Sequence, residues 1–134
     1  MRIFIFFIGC LFLNSCHNSN EEMSKLLTYK KCGNWGIIAR ERESGISEYK
    51  NPVYSYMFCN DGHYSSCKYN TDTKTWEEAD KGDVITSNRW KFITDSVIQI
   101  GDFQEWKINK ISSDTLVWNM VKNPAIKEKM VRLK

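Results

Sequence analysis

Residues 105–121 read EWKINKISSDTLVWNMV, and this stretch decides the fold. Apolar and polar residues alternate on both sides of a Ser-Ser-Asp turn, with Trp106 and Ile108 before it and Leu116 and Trp118 after it. Alternation with period two is typical of a strand that buries one face, and two such runs around a short polar turn are typical of a hairpin. The stretch therefore predicts an antiparallel hairpin with two tryptophans on its buried face.

Short runs of the same kind, separated by turn residues, continue from residue 32 to the end of the sequence. The residues predicted to share a face are Trp35, Ile37 and Ala39 in the first strand, Tyr54, Tyr56 and Phe58 in the next, Trp90 with Phe92 further on, and Val131 with Leu133 in the last. Short antiparallel strands must hide their edges by closing into a barrel or by forming a sandwich, and the apolar tryptophan faces favour closure. We predict an all-β fold, a small antiparallel up-and-down barrel of about eight strands.

One helix is predicted, and it precedes the strands. Residues 18–31, NSNEEMSKLLTYKK, begin with polar capping residues, continue with Glu21 and Glu22, and then place apolar side chains at helical spacing. A short helix would cover one end of the β structure. The alternative is a disordered extension of the preceding segment.

The first fifteen residues predict a cleaved signal. A single Arg2 is followed by eleven apolar residues, Ile3 to Leu13, which at ~1.5 Å each span about half of a ~30 Å hydrocarbon core. A charged start and a short apolar run are typical of a secretory signal. The sequence Leu13-Asn14-Ser15-Cys16 resembles the lipobox of bacterial lipoproteins, which implies cleavage before Cys16 and its modification with acyl chains, palmitate among them.

This resemblance defines three regions: a lipoprotein signal peptide (1–15), a lipidated tether with the short helix (16–31) and a β-barrel (32–134). Several acyl chains anchor a protein stably, whereas one chain is marginal. We therefore expect a lipid-anchored protein of the bacterial cell envelope, with the membrane as a partner through Cys16. The residue after Cys16 is His17 and not an aspartate, which by analogy with bacterial lipoproteins favours the outer membrane.

Composition and motifs argue against several function classes. The 19 Lys and Arg residues against 16 Asp and Glu give a formal charge of +3, and these charges are interspersed, which argues against nucleic acid as a partner. The sequence shows no nucleophile with a base, no paired carboxylates and no phosphate loop. We predict a protein that is not an enzyme and uses no cofactor.

A metal site is not predicted either, although Cys59, His63 and Cys67 are evenly spaced. The Asp-Gly pair at 61–62 favours a hairpin turn in the middle of this segment. The three side chains would then spread along the hairpin and could not converge on one ion.

Several motifs follow one another in the order of a known family. They are GNW at 33–35, FCNDGHY at 58–64, Trp90, and the run WKINKISSDTL at 106–116. Together they resemble the small lipocalin-like domains of many bacterial lipoproteins, over roughly residues 33 to 120. The resemblance implies an up-and-down barrel on a lipid anchor. It says more about the fold than about the function.

The barrel topology also predicts the state of the thiols. The start of the first strand lies beside the end of the second in such a meander, which brings Cys32 near Cys59. A bond from Cys59 to Cys67 would exceed the short Cα separation that a disulfide tolerates. We predict a Cys32–Cys59 disulfide and a free Cys67.

Two functions remain for a monomeric barrel of this kind. The first is binding of a small apolar ligand inside the barrel, lined by Tyr56, Phe58, Trp90, Trp106 and Trp118. The alternative is a protein-interaction module of the inhibitor or immunity type, with a packed interior and a partner site on the loops 42–52 and 70–88. Trp76, between polar neighbours, would be the anchor of that site.

Overall fold

The computed structural model describes residues 19–79 and 87–134. It confirms an all-β fold with one short helix, α1 (Ser19–Thr28). The ten strands of the described residues are β1 (Cys32–Arg42), β2 (Gly45–Glu48), β3 (Tyr54–Cys59), β4 (Tyr64–Asn70), β5 (Thr75–Glu78), β6 (Trp90–Phe92), β7 (Val97–Ile100), β8 (Gln104–Ile111), β9 (Thr115–Met120) and β10 (Lys127–Arg132). The predicted signal peptide and its lipidation site, Cys16, lie outside these residues.

The strands form one curled, half-barrel sheet in which every pairing is antiparallel. Its order is β5-β4-β3-β1-β10-β9-β8-β7-β6, so the first and last strands lie together at the centre. One edge of β1 pairs with β10, and the other edge pairs with β2 at residues 39–42 and with β3 at residues 32–36. β2 and β3 are one return strand interrupted by residues 49–53, and counting them as one leaves nine strands in residues 19–79 and 87–134, against the predicted eight or so.

A β-bulge in β1 changes which side chains face the concave side of the sheet. Ile37 pairs with Met130, but the next pairs are Ala39 with Lys129 and Arg40 with Glu128, so Ile38 is an extra residue. An extra residue moves every following side chain to the other face. Ala39 was predicted to share the face of Ile37, and this prediction is wrong: Arg40 takes that face instead.

The concave face carries the hydrophobic core. Its fully buried side chains include Trp35, Phe58, Leu116, Trp118 and Met130, each with no exposed surface. A second bulge, in β8, keeps both Ile108 and Ile111 packed against this core. The two arms of the sheet also touch, since His63, just before β4, and Arg89, just before β6, form an antiparallel bridge.

Helix α1 covers the end of the sheet at which β1 begins. The Trp35 indole N–H donates to the carbonyl of Leu27 at 2.8 Å, and Leu27 is fully buried. The Arg132 guanidinium stacks over Trp35 and over Tyr29, and donates to the carbonyl of Leu26. We call this the helix end.

The opposite end is formed by the loops 43–44, 71–74, 101–103 and 121–126, because antiparallel strands place alternate connections at opposite ends. We call these loops, together with residues 45–54 beside them, the rim. In the described part of the chain, no helix has the length and apolarity needed to cross a membrane.

Candidate functional site

The five aromatic residues predicted to line a ligand site lie together on the concave face. Trp106 and Trp118 stack with ring centroids 4.8 Å apart, and Phe58 meets Trp118 and Trp90 edge-on at 5.9 Å each. Tyr56 lies 5.4 Å from Trp118. Such centroid distances and tilts are those of packed aromatic pairs. The rings therefore fill the space between them with one another.

A carboxylate that the sequence analysis missed is buried beside these rings. Glu128 is only 3% exposed. One of its oxygens accepts a hydrogen bond from the Trp118 indole at 3.0 Å, and the other accepts one from Arg40 Nε at 3.0 Å. The Tyr56 hydroxyl lies 3.5 Å from that second oxygen. A buried charge is tolerated only when it is paired and hydrogen-bonded, and this one is both.

The pKa shifts in this cluster are consistent with that pairing. Burial alone would lower the pKa of Arg40, but the Glu128 carboxylate beside it raises the pKa above its usual value. Burial, and then the negative charge of Glu128, raise the pKa of Tyr56 well above its usual value. At neutral pH Arg40 is therefore a cation and Tyr56 keeps its proton.

Arg40 connects this buried cluster to the surface of the rim. Its side chain is 22% exposed and lines a depression of about 310 Å³ between β1 and β2, together with Arg42, Ser44, Ser47 and Tyr49. A neighbouring depression of about 480 Å³ is lined by Arg42, Ser44 and residues of the 121–126 loop. The β1–β2 hairpin and the β9–β10 loop are thus neighbours on the rim.

Exposed large apolar side chains are concentrated on the rim. The seven such residues of the described chain are Tyr29, Ile46, Val53, Tyr54, Ile93, Phe103 and Val121. Five of them lie on the rim, and Phe103 (76% exposed) and Ile46 (65%) are the most exposed of all seven. Trp76, the predicted anchor, is instead half-buried against Tyr69, with centroids 5.3 Å apart.

The cysteines and the histidine are separated into different environments. Cys32 and Cys59, the pair assigned from the barrel topology, form a disulfide with a Cα separation of 4.0 Å. Cys67 is a buried free thiol whose pKa is raised by burial, and His63 Nε2 lies 3.1 Å from the hydroxyl oxygen of Ser65. Among the residues that the structure describes, no three His, Cys, Asp or Glu side chains are grouped so that they could hold a metal ion.

The fold and the site define a class: a barrel-like β protein with a packed aromatic concave face, a buried ion pair and exposed apolar side chains on its rim. Comparison with known proteins adds nothing to this description, because no protein-family model, curated protein or solved structure matches the chain.

Proposed function

We propose that this protein is a membrane-anchored, non-enzymatic lipoprotein that binds another protein of the cell envelope through its rim. The observation that carries the proposal is the contrast between a filled concave face and exposed apolar side chains on the rim. Large exposed apolar side chains among polar residues are candidates for interaction sites, and aromatic side chains are enriched among the residues that contribute most to binding. Phe103 is the foremost candidate, since three quarters of its surface is exposed.

We further propose that the curled sheet closes as a lipocalin-like barrel. Two backbone hydrogen bonds flank the bridge between the arms, from the Tyr64 amide to the Asn88 carbonyl at 2.8 Å and from the Trp90 amide to the Gly62 carbonyl at 3.0 Å. The Trp90 indole N–H adds a third contact, to the carbonyl of Cys59 at 2.9 Å. These contacts, together with the resemblance of the sequence motifs, support closure.

The proposed anchor would orient the rim toward a partner. Helix α1 begins at Ser19, three residues after Cys16, and packs at the helix end of the sheet. Acyl chains on Cys16 would hold that end near the bilayer, with the β1–β2 hairpin at the far end of the domain. Cys16→Ser is expected to release the protein from membranes, whereas Cys10→Ser, within the signal, is not. Unchanged membrane association of the Cys16→Ser variant would refute the anchor.

Binding of a small apolar ligand stays a prediction of the sequence alone. A ligand on the concave face would have to separate rings that already contact one another, such as Trp106 and Trp118. Strong quenching of tryptophan fluorescence by long-chain lipids would favour that function over partner binding.

Site-specific photo-crosslinking in intact cells tests the partner site. A photoreactive phenylalanine analogue replaces Phe103 or Ile46 on the rim, and Ile93, exposed to 42% on the β6–β7 turn, serves as the control position. We expect a discrete crosslinked protein from both rim positions and none from position 93. Equal crosslinking at all three positions, or none at the rim, would overturn the proposed function.

A further inference from the structure

We propose that the depression lined by Arg40 and Arg42 receives a carboxylate from an acidic segment of the partner protein. This inference rests on the proposed partner function and specifies the chemistry that the rim recognises. Two arginines line one concavity; because Arg40 is paired with Glu128, Arg42 supplies the net positive charge of the lining, and guanidinium groups bind carboxylates through paired hydrogen bonds.

The bulge in β1 creates this site. Without the extra residue at Ile38, position 40 would point away from the concave face, as position 39 now does. Arg42 follows Arg40 by two residues, so both side chains project from the same face of β1. The bulge and the strand alternation together place Arg40 and Arg42 on the inner side of the rim.

The hydrogen bond to Glu128 holds Arg40 in place and uses only one of its N–H donors. A guanidinium carries five N–H groups, and the bond to Glu128 uses the one at Nε. Because the carboxylate is buried and also accepts from Trp118, it holds the arginine in one orientation. A side chain that is already ordered loses less conformational entropy when a ligand binds.

The remaining lining residues suit a carboxylate. Ser44 and Ser47 add hydroxyl groups that can donate to it, and Tyr49 adds a phenol. Among the described residues that line this depression there is no carboxylate; two acidic side chains lie nearby, Glu128, which is paired with Arg40, and Glu43, which lines the neighbouring depression with Arg42. The exposed Ile46 lies in the same hairpin and would pack beside the acidic segment.

Peptide binding tests the inference on the lipidated full chain in detergent. The probe is a fluorescein-labelled hexaglutamate peptide, measured by fluorescence anisotropy, with hexalysine as the charge-reversed peptide. Arg42→Gln is expected to weaken hexaglutamate binding about fivefold, the upper range for an exposed ion pair. Lys50→Gln removes the same charge from the neighbouring 49–53 segment and is expected to leave the affinity unchanged.

The outcomes of this experiment distinguish a carboxylate of a partner protein from the carboxylate of a small molecule. Equal weakening by both variants would show a diffuse charge effect and overturn the inference, as would absence of hexaglutamate binding or equal binding of hexalysine. Displacement of the peptide by glutarate at equal carboxylate concentration would assign the site to a small molecule and would also overturn it. If the inference fails while the Phe103 crosslink persists, the proposed function stands; loss of the crosslink refutes that function instead.

Discussion

Replacement of Glu128 by methionine is the most informative single change in the buried cluster. It removes the acceptor of the Trp118 indole N–H, which is fully buried, and leaving such a donor unsatisfied costs about 1–3 kcal/mol. It also removes the partner of Arg40, whose partly exposed side chain can turn toward water, so this loss adds only about 1 kcal/mol. We expect Glu128→Met to lower the free energy of unfolding by about 2–4 kcal/mol, a large part of the ~5–15 kcal/mol of a typical domain.

Urea unfolding followed by tryptophan fluorescence measures this loss. Glu48→Gln, an exposed position on β2, is the matched control and should change stability by less than about 0.5 kcal/mol. Arg40→Met, which leaves the Glu128 carboxylate buried without its cation, should cost about 3 kcal/mol or more. The double variant should cost less than the sum of the single variants by at least about 1 kcal/mol. Strict additivity, or a Glu128→Met variant as stable as the control, would refute the assignment of Glu128 as a paired buried charge.

Three further changes test other parts of the fold. Replacing Cys32 and Cys59 together by serine removes a cross-link over 27 residues, for which chain entropy predicts a loss of about 3.5 kcal/mol, measured by urea unfolding without reductant. Gly33→Ala places a methyl group against the carbonyl oxygen of Leu27 and should lower the free energy of unfolding by about 2 kcal/mol; an unchanged urea midpoint would contradict that close contact. The Cys67 thiol, with a pKa raised by burial, should react about tenfold more slowly with a thiol reagent at pH 8 in the folded protein than in urea, and equal rates would contradict its burial.

The strands were predictable because strand periodicity depends on local sequence. The pairs Trp106 with Ile108 and Leu116 with Trp118 all lie on the concave face, as the alternation predicts. The helix was predictable for the same reason, from its acidic first turn and apolar spacing. These features require no knowledge of which strands become neighbours.

The polar cluster was not predictable in this way. A bulge depends on the pairing partner, and nothing in the run around Ile38 marks it as the extra residue. Without the bulge, the strand alternation would place the Arg40 side chain on the solvent-facing side of the sheet. In the last strand Val131 and Leu133 share one side, as the alternation predicts, but the sequence did not show that the opposite side, with Met130 and Glu128, points inward. A glutamate two residues before a buried methionine looks like a surface residue until its partners are known.

The interruption between β2 and β3 was also hidden in the sequence. Residues 49–53 contain Pro52, which packs over Gly36 outside the sheet. The sequence places this segment in a loop, but only the pairing shows that the chain rejoins the same edge of β1 afterwards.

The contact between the two arms of the sheet is connected to the Cys32–Cys59 disulfide. Trp90, on the β6 arm, donates its indole N–H to the carbonyl of Cys59, and Cys59 is itself linked to Cys32 at the centre of the sheet. Reduction would remove the covalent link and leave Cys59 held only by its strand pairing and by the hydrogen bond from its amide to the His63 carbonyl. The oxidised and reduced chains would then differ in how firmly this junction is held. Amide exchange near Gly62 would report the difference between the two states.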